Sequence, residues 1–349
     1  MPTALITGGA GFIGSHVADR FVAEGWQVHI VDNLASGKRE NLPSNAEFHE
    51  LDIRDQRTAA LLTSLKPDAL VHLAAQIDVR KSVEDPVLDA QSNVIGTLNL
   101  IEAVRRTSPR TRIVFTSTGG AIYGDFVTPP NVETFQKDPE SPYAITKMSA
   151  ELYLAYYGRV HGLESIVLRF GNVYGPRQDP HGEAGVVAIF CGRLLEGRPL
   201  TIFGDGKQTR DYVFVGDVAD ATWRATTGSV PPAGQLDARA FNIGTGVATS
   251  VLKLAEVLRK ASGVEATIEH APKRPGEQQV SFLNVEKAAR VLGWKPQVTL
   301  KEGLRRSFEW FAERESAGAK TAASSRARCE ARLSSPVRWS ARRASTRSA

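Results

Sequence analysis

Gly8-Gly9-Ala10-Gly11-Phe12-Ile13-Gly14 follows the apolar run Ala4-Leu5-Ile6 and precedes a helical pattern at Ser15–Glu24. A strand, a glycine-rich turn and a helix start, in that order, allow main-chain N–H groups and the helix N-terminus to hold a pyrophosphate. Glycines 9, 11 and 14 fit G-x-G-x-x-G, whereas glycines 8, 11 and 14 fit G-x-x-G-x-x-G. The pattern therefore predicts a phosphate-binding βα unit and leaves the register of its turn open.

An acidic residue supports the same interpretation. The segment Gln27–Val31 is apolar enough for a second strand, and it ends in Asp32, about 20 residues after the turn. A carboxylate at that place binds the 2′-hydroxyl of a ribose and repels a 2′-phosphate, so NAD is favoured over NADP. The alternative is a tight βα turn that binds no ligand.

Composition limits the class of protein. A chain of 349 residues allows about two domains, and its 42% hydrophobic and 23% charged residues are ordinary for a globular protein. No apolar run approaches 18 residues and the N-terminus lacks a basic leader, so neither a membrane partner nor a signal peptide is expected. Cys191 and Cys329 are far apart, which favours a reducing, cytoplasmic location. The seven histidines show no metal-binding spacing, so no metal is expected.

The net charge of +5 is concentrated at the C-terminus. Residues 316–349 contain seven Arg and one Lys against one Glu, a net charge of +7, so the rest of the chain carries −2. A mildly acidic body gives no reason to expect nucleic acid as a partner. The segment 316–349 is rich in Ala, Ser and Arg and poor in large apolar residues, which predicts a disordered basic tail.

Short apolar runs alternate with helical periodicity through the first half of the chain. The predicted strands are Thr3–Ile6, Gln27–Val31, Glu47–Glu50, Ala69–Leu73, Arg112–Thr116 and Glu164–Arg169. The predicted helices are Gly14–Glu24, Thr58–Leu65, Val87–Arg106 and Pro142–His161. This alternation predicts an α/β protein with a Rossmann-type, doubly wound parallel sheet.

The pattern changes after Arg169, where Gly and Pro become frequent. Helices are predicted at Ala184–Glu196, Ser250–Ala261 and Leu300–Arg314, joined by longer irregular pieces. We therefore expect a Rossmann domain over residues 1–172 and a smaller α/β domain over 173–315. Within residues 211–244, the apolar segments Tyr212–Val215 and Ala240–Ile243 are expected to return to the first domain.

Tyr143 and Lys147 form a Y-x-x-x-K pattern, which places a phenol and an ammonium on one face of a helix. A nearby ammonium favours the phenolate, and a nicotinamide cation would lower the phenol pKa further, giving a base that works near neutral pH. The strand Arg112–Thr116 delivers Ser117 and Thr118 to the ligand-binding edge of the sheet, where Thr118 can share a substrate hydroxyl with Tyr143.

With these residues in view, the chain resembles the extended short-chain dehydrogenases/reductases (the NAD-dependent epimerase/dehydratase family), and within them the UDP-glucose 4-epimerase group. The resemblance covers roughly residues 3–314. The motifs that carry it are Thr7–His16, Asp32–Leu34, Leu51–Ile53, His72–Gln76, Asn93-Val94, Tyr143–Lys147, Arg169–Pro176, Gln208–Tyr212 and Arg274–Glu277.

The resemblance implies roles for individual residues, with NAD as cofactor and a UDP-sugar as substrate. The implied catalytic residues are Thr118, Tyr143 and Lys147. The implied cofactor-binding residues, besides Tyr143 and Lys147, are Gly8, Gly11, Phe12, Ile13, Gly14, Asp32, Asn33, Asp52, Ile53, Ala74, Ala75, Gln76 and Asn93. The implied substrate-binding residues are Thr118, Asn172, Arg210, Arg274 and Ser281. The Val186–Phe190 and Thr201–Phe203 stretches would cover the nucleotide base.

Two positions bear on the substrate. Alignment of Arg274–Glu277 with the motif of the family places Ser281 beside the C2 substituent of the sugar, where some relatives have a bulky Tyr. The serine implies room for an N-acetyl group. The family resemblance also suggests a homodimer formed through the helices Val87–Arg106 and Pro142–His161, although sheet packing would explain their periodicity equally well.

The segment after Thr118 separates reaction types within the family. Nucleotide-sugar dehydratases and decarboxylases carry an acid there, whereas this chain has Gly119-Gly120-Ala121 and no acid before Asp125. The two-glycine stretch is one residue longer than in the best-known epimerases. A 4-epimerase of UDP-hexoses is the function predicted by the resemblance. A nucleotide-sugar dehydrogenase or reductase that releases its cofactor, or a non-catalytic NAD(P) sensor, stays open as an alternative.

Overall fold

Strands and helices alternate along the first half of the chain in this computed structural model, which describes residues 1–180, 185–273 and 278–333, with side chains as far as Ser316. The strands here are β1 (Thr3–Thr7), β2 (Gln27–Asp32), β3 (Ala46–Glu50), β4 (Ala69–His72), β5 (Arg112–Thr118) and β6 (Ser165–Phe170). The helices are α1 (Phe12–Ala23), α2 (Gln56–Leu65), α3 (Val79–Glu84), α4 (Pro86–Ala90), α5 (Gly96–Thr107) and α6 (Pro142–His161).

The second half has shorter strands. They are β7 (Asn172–Tyr174), β8 (Leu200–Phe203), β9 (Thr209–Arg210), β10 (Tyr212–Phe214), β11 (Ala240–Ile243), β12 (Thr249–Ser250) and β13 (Ile268–Ala271). The helices are α7 (Val186–Leu195), α8 (Val215–Thr227), α9 (Val251–Ser262), α10 (Glu286–Val291) and α11 (Leu300–Leu333).

One parallel sheet of seven strands carries the fold, in the order β11-β6-β5-β4-β1-β2-β3. The chain starts at β1, builds outwards through β2 and β3, and then returns to β4 on the other side of β1. Central strands such as β6 are buried along their whole length, because helices cover both faces of the sheet. This is the doubly wound Rossmann-type sheet that the strand–helix alternation predicts, and that prediction is confirmed.

The layers on the two faces of the sheet have separate cores. On one face, Phe21 of α1 and Val218 of α8 pack with Ile6 of β1. On the other face, Leu62 of α2 and Leu154 of α6 belong to a second core of buried apolar residues. Successive strand residues point to opposite faces, so each strand supplies both cores.

A third apolar core lies in the second half of the chain. It joins α7, α9 and the first turns of α11 through Phe190, Leu254 and Leu304. Three two-stranded sheets border this region, formed by β8 with β13, β9 with β12, and β7 with β10. Because each sheet has only two short strands, packing of the three helices supplies most of the apolar burial.

Most element predictions in the first half are confirmed to within a few residues, and α6 has the predicted bounds. The helix predicted at Val87–Arg106 is interrupted by a wider turn at Gln91–Ile95. Ala240–Ile243 joins the main sheet as expected, whereas Tyr212–Phe214 pairs with β7 instead. Val213 nevertheless packs in the same core as Ile6 of β1, and Val215 begins helix α8, which the sequence did not predict.

The C-terminal segment also departs from its prediction. Disorder was expected from residue 316, but α11 continues to Leu333. Ala, Glu, Lys and Arg are strong helix formers, and they extend a helix whose first turns are fixed by burial of Leu304 and Phe308. The remainder of the predicted tail, 334–349, lies outside the described residues. Among the described helices, none is long and apolar enough to cross a bilayer.

Candidate active site

All seven strands of the main sheet run in the same direction, so their carboxyl ends meet at one edge. In open parallel sheets this edge is where ligands bind, next to the strands at which the chain reverses its direction of building. Here the reversal lies between β1 and β4. The turn after β1, the end of β2 and the segments after β4 and β5 therefore surround one cleft.

The glycine turn after β1 requires glycine at several positions for different reasons. Gly8 has φ +74°, and an added Cβ would lie 2.7 Å from the main-chain nitrogen of Ala74. A Cβ on Gly14 would lie 2.1 Å from the carbonyl oxygen of Gly8, and one on Gly9 would lie 2.6 Å from the Ile30 side chain. Both predicted registers therefore contain sterically required glycines, and Gly8 and Gly14 carry the strictest backbone constraints.

Helix α1 begins directly after this turn at Phe12. Its N-cap is Gly11, and among the described residues no side chain caps it and no acid lies in its first turn. The first N–H groups of a helix have no partner within the helix, and they carry partial positive charge. The close-packed glycines and this uncapped end fit a pyrophosphate, which supplies acceptors and negative charge.

Asp32 ends β2 and is almost fully buried. Its carboxylate accepts hydrogen bonds from the main-chain N–H groups of Ala10 (3.0 Å) and Leu34 (2.8 Å). Burial raises the pKa of this carboxyl, and the two hydrogen bonds act in the opposite direction. Asp32 therefore ties the loop that follows it to the glycine turn, in addition to any contact with a ribose.

Asn33 and Asp52 form a second polar contact, next to Asp32. The Asn33 amide donates to the Asp52 carboxylate at 2.9 Å, and Arg54 donates to the same carboxylate at 2.8 and 2.9 Å. The Arg54 hydrogen bonds hold the pKa of Asp52 down at about 2. Ile53 is buried against Gly96, where an added Cβ would lie 2.7 Å from Ile53 Cδ1. The structure thus brings the predicted adenosine-side residues together beside Asp32.

The segment after β4 is fixed by a buried polar cluster. The Gln76 main-chain N–H donates to the Asn93 side chain at 2.8 Å, and the Asn93 amide donates back to the Gln76 carbonyl at 3.0 Å. Both side-chain amides also donate to Asp89, which accepts a third hydrogen bond from Thr146 at 2.6 Å. Asp89 and Thr146 were not singled out from the sequence, yet they connect Ala74–Gln76 to α6.

Lys147 is buried against β5. Its ammonium donates to the Thr116 carbonyl at 2.9 Å and lies 4.8 Å from the centre of the Phe115 ring. Burial lowers the pKa of Lys147 to about 8, against the attraction of Asp89 and Glu151. The same burial, together with Lys147, lowers the pKa of His72 to about 3, so that ring is neutral.

Tyr143 lies in the first turn of α6. Ser141 caps this helix by accepting from the Ala144 N–H, and Pro142 occupies the first position. Burial, and to a lesser degree Asp89, raise the pKa of the Tyr143 hydroxyl above its ordinary value. The effect of the Lys147 ammonium on the Tyr143 phenol stays a prediction; in the described contacts that ammonium donates to the Thr116 carbonyl.

The two hydroxyls at the end of β5 have different surroundings. Ser117 is buried and donates a short hydrogen bond to Glu151, which also accepts from the buried guanidinium of Arg169 at 2.6 Å. Thr118 is only half-buried, and its hydroxyl forms no hydrogen bond within the described part of the chain. The Ser117 hydroxyl is therefore used in a buried hydrogen bond, and the Thr118 hydroxyl is the one of the two that is left for a ligand.

The substrate-side residues come from separate segments. Asn172 begins β7, and its side-chain oxygen lies 3.8 Å from where a Cβ on Gly120 would be. Arg210 is half-buried, donates to the Thr209 carbonyl at 2.8 Å, and has no salt bridge with any described carboxylate. Ser281 is buried and its N–H donates to the same Thr209 carbonyl at 3.2 Å. Arg274 lies outside the described residues, as does the whole motif 274–277.

Asp211 was not singled out from the sequence, although it lies next to Arg210. Its buried carboxylate accepts from the Thr245 N–H and hydroxyl (both 2.6 Å), from the Gly246 N–H (3.0 Å) and from the Leu283 N–H (3.2 Å). It therefore joins β10, the loop after β11 and the segment containing Ser281. A charged residue between apolar strand residues was an available signal for Arg169 in β6, whereas Asp211 follows the charged Arg210 and has no such signal.

The segment after Thr118 contains no nearby acid. A Cβ on Gly119 would lie 2.7 Å from Leu283, so this position accepts no side chain without movement. Asp125, the first acid after Thr118, is exposed on a turn. The geometry therefore offers the half-buried Tyr143 and Thr118 hydroxyls, without a carboxylate from this segment beside them.

Comparison with known proteins agrees with this arrangement. The family model described as GDP-mannose 4,6 dehydratase matches residues 5–307. A UDP-glucose 4-epimerase of Mycolicibacterium smegmatis is 47% identical over 312 residues, covering 88% of this chain and 97% of the relative.

Two solved structures are similar in fold and sequence. The Thermotoga maritima UDP-glucose 4-epimerase with UDP-glucose has a TM-score of 0.84 and 46% identity, covering 89% of this chain and 99% of that one. The Thermus thermophilus UDP-glucose 4-epimerase in complex with NAD has a TM-score of 0.81 and 44% identity, covering 88% and 98%. The chain belongs to the NAD-dependent epimerase/dehydratase family.

Proposed function

We propose that this protein is an NAD-dependent 4-epimerase of a UDP-hexose, acting on UDP-glucose and UDP-galactose. The observation that carries the proposal is that Thr118 at the end of β5 and Tyr143 in the first turn of α6 are both only half-buried, with glycine at 119 and 120, where an elimination would need an acid. The similarity to UDP-glucose 4-epimerases over nearly the whole chain supports the same reaction.

The cofactor half of the proposal rests on the glycine turn. Gly8, Gly11 and Gly14, with the N–H groups of Phe12 and Ile13, would hold the pyrophosphate of NAD at the start of α1. The Asp32 carboxylate, with Asn33, would bind the adenosine ribose, and Asp52 with Ile53 would line the adenine. Ala74, Ala75, Gln76 and Asn93 would line the nicotinamide half, where the Asp89 cluster keeps them in place.

Tyr143 is the proposed acid and base. It would take the proton of the sugar 4-hydroxyl and later return it, with Thr118 sharing the hydrogen bond. NAD, when bound, supplies a reversible hydride acceptor for C4 and a positive charge next to the phenol. That charge opposes the burial that raises the Tyr143 pKa. Lys147, held by the Thr116 carbonyl, would bind the nicotinamide ribose.

Epimerisation requires tight binding of the diphosphate of the substrate and free rotation of its sugar. Arg210, which forms no salt bridge with a described carboxylate, would bind the diphosphate together with Asn172 and Arg274. The sugar would turn about its bond to the diphosphate and so present both faces of C4. Ser281, small and close to Arg210, would leave space for a C2 N-acetyl group, so UDP-N-acetylglucosamine is the second proposed substrate.

We infer that the chain has two domains with different ligands. Residues 1–172, together with 211–244, would bind NAD, and residues 173–315 would bind the nucleotide sugar. α7 and β8, which contain Val186–Phe190 and Thr201–Phe203, would border the base. A cytoplasmic location is proposed from the cysteine content, with Cys191 free and buried.

A homodimer is proposed from α6, which is apolar on two sides. Ala144, Leu154 and Tyr157 face the interior, while further apolar side chains on α6 and the helices beside it are exposed. These exposed residues are Val83, Val87, Ile95, Ile145, Leu152, Tyr156 and Val160. A second copy packed helix against helix would cover them. Leu152→Glu should give monomers in sedimentation analysis, whereas Lys260→Glu on the exposed side of α9 should not.

The function is tested by following UDP-glucose and UDP-N-acetylglucosamine with the purified, desalted protein by NMR. An epimerase retains NAD through desalting and forms the 4-epimers without accumulating reduced cofactor. Accumulation of reduced cofactor in proportion to substrate would instead identify a dehydrogenase. Bound NAD with no turnover of either sugar would favour the sensor alternative.

A further inference from the structure

Three side chains that commonly bind metals meet on the outer edge of the main sheet. His29 lies on β2, and Glu47 and His49 lie on the edge strand β3, in a register that pairs His29 with Glu47. Residues two apart on a strand point to the same face, so Glu47 and His49 lie side by side opposite His29. The histidine spacing along the sequence gave no sign of this cluster, because it forms only when the two strands pair.

The distances between the ligating atoms are nearly equal. His29 Nδ1 lies 3.2 Å from His49 Nε2. The two carboxylate oxygens of Glu47 lie 3.4 Å from His29 Nδ1 and 3.4 Å from His49 Nε2 respectively. Zinc–ligand bonds of about 2.0–2.1 Å place neighbouring ligand atoms of a tetrahedral site about 3.3–3.4 Å apart. The separation of the two nitrogens, and the distance from each nitrogen to its own Glu47 oxygen, therefore match the spacing of ligand atoms around one zinc ion.

The surroundings suit a metal ion with one open position. His29 is only 5% exposed and His49 is largely covered, which limits the freedom of both rings. The Glu47 side chain is 61% exposed, so water reaches the cluster from that side. Two imidazoles and one carboxylate favour zinc and similar transition ions, whereas Mg²⁺ and Ca²⁺ prefer oxygen ligands.

We propose that His29, Glu47 and His49 bind one Zn²⁺ ion, with water as the fourth ligand. The ion takes the place of the proton that the two facing nitrogens share. It joins β3, the outermost strand, to β2. The carboxyl ends of these two strands lead directly to Asp32 and Asp52. The site therefore stabilises the edge of the sheet that carries the adenosine-side residues, and it does not take part in the sugar chemistry.

The test uses the full chain without an affinity tag, first freed of metal by a chelator. Zn²⁺ is titrated by calorimetry, Co²⁺ binding is followed by its visible absorption, and Mg²⁺ serves as the negative probe. The variants are Glu47→Gln, which changes an exposed side chain and preserves folding, and His49→Gln. His161→Gln, at the C-terminal end of α6, is the matched control.

We expect one Zn²⁺ per chain, a rise in melting temperature with zinc, and tetrahedral Co²⁺ absorption in the parent and in His161→Gln. Each ligand variant should bind at least ~10-fold more weakly, since the loss of even an outer partner costs that much. Mg²⁺ should give no binding signal. The proposal would be overturned if the parent showed no saturable zinc binding, or if Glu47→Gln and His49→Gln bound zinc as tightly as the parent.

Discussion

The turn that begins α1 and the segment that contains Ser281 are built in different ways. The first is a continuous piece of main chain in which added Cβ atoms on Gly8 and Gly14 would lie within 3 Å of backbone atoms. The second is assembled from strands far apart in sequence, with Ser281 hydrogen-bonded to Thr209 and Leu283 to Asp211. Backbone geometry thus fixes the turn proposed for the cofactor, whereas the segment proposed for the substrate depends on contacts between distant parts of the chain.

The largest effect is expected from Tyr143→Phe, which removes the proposed acid and base. Removal of the hydroxyl should lower kcat by about 10²–10⁴-fold, because proton transfer is lost while ring packing is kept. NAD binding and melting temperature should match the parent. Tyr153→Phe, an exposed phenol on the same helix, is the control. Activity within a few-fold of the parent in Tyr143→Phe would contradict the proposed acid–base role.

Gly14→Ala tests the rigid side of the comparison. The new methyl group would lie 2.1 Å from the Gly8 carbonyl oxygen, so the turn must shift and the pyrophosphate site with it. We expect a loss of about 1–3 kcal/mol in stability and at least ~10-fold weaker NAD binding. Gly192→Ala on α7, where nothing lies within 4 Å, should not destabilise the protein. Unchanged NAD affinity in Gly14→Ala would show that this turn is not the pyrophosphate site.

Ser281→Tyr tests the adaptable side. The bulky ring should abolish turnover of UDP-N-acetylglucosamine and spare UDP-glucose, because only the larger C2 substituent needs the space. Ser281→Ala keeps that space and should retain both activities. The measurement is kcat/KM on each sugar. An equal loss on both sugars, or no N-acetyl activity in the parent, would remove Ser281 from the sugar pocket.

Asp32→Ala is expected to weaken the preference for NAD over NADP, with a smaller effect than that of the three substitutions above. The carboxylate that repels a 2′-phosphate is removed, so the ratio of NAD to NADP affinity should fall. The Ala10 and Leu34 N–H groups also lose an acceptor, so stability should fall by about 1–3 kcal/mol. Asp32→Asn separates the two effects, since it removes the charge but keeps the size. A variant that rejects NADP as strongly as the parent would exclude Asp32 as the ribose-reading acid.

Truncation after Ser316 is expected to have the smallest effect. The removed segment is basic and poor in large apolar residues, and the buried anchors of α11, Leu304 and Phe308, remain. Activity should be unchanged, and stability should change by less than about 0.5 kcal/mol, or roughly 1–2 °C in Tm. Thermal denaturation and the epimerase assay measure both. A large loss would show that residues beyond 316 contribute to the folded body.

The difference between the two regions also explains what the sequence could predict. Except for the edge strand β3, the first six strands are short apolar runs buried on both faces. Helix α6 has an explicit start at Ser141-Pro142 and an explicit end at Gly162, with φ +70°. Such signals are local and can be read directly. Helix α8 contains Val, Thr and Gly, which are poor helix formers, and it is stabilised by packing against α1. A tertiary contact of that kind is not visible in the sequence.

The candidate site shows the same limit. The glycine turn, Asp32, Tyr143 and Lys147 follow from local motifs, and the structure brings the described ones to one edge of the sheet. The direction of the Lys147 ammonium depends on the Thr116 carbonyl of a distant strand, a contact that sequence spacing alone does not show. The His29–Glu47–His49 cluster was missed for the same reason, because strand register creates it.

The Asp211 carboxylate has a consequence for motion. Four donors from two loops converge on it, and loops are ordinarily the first parts of a protein to open. The amide hydrogens of Thr245, Gly246 and Leu283 should therefore exchange with solvent slowly and at similar rates, as one cooperative unit with β10. Ser281 is two residues from Leu283, so the proposed wall of the sugar pocket should belong to that slow unit and should not fluctuate as an independent loop.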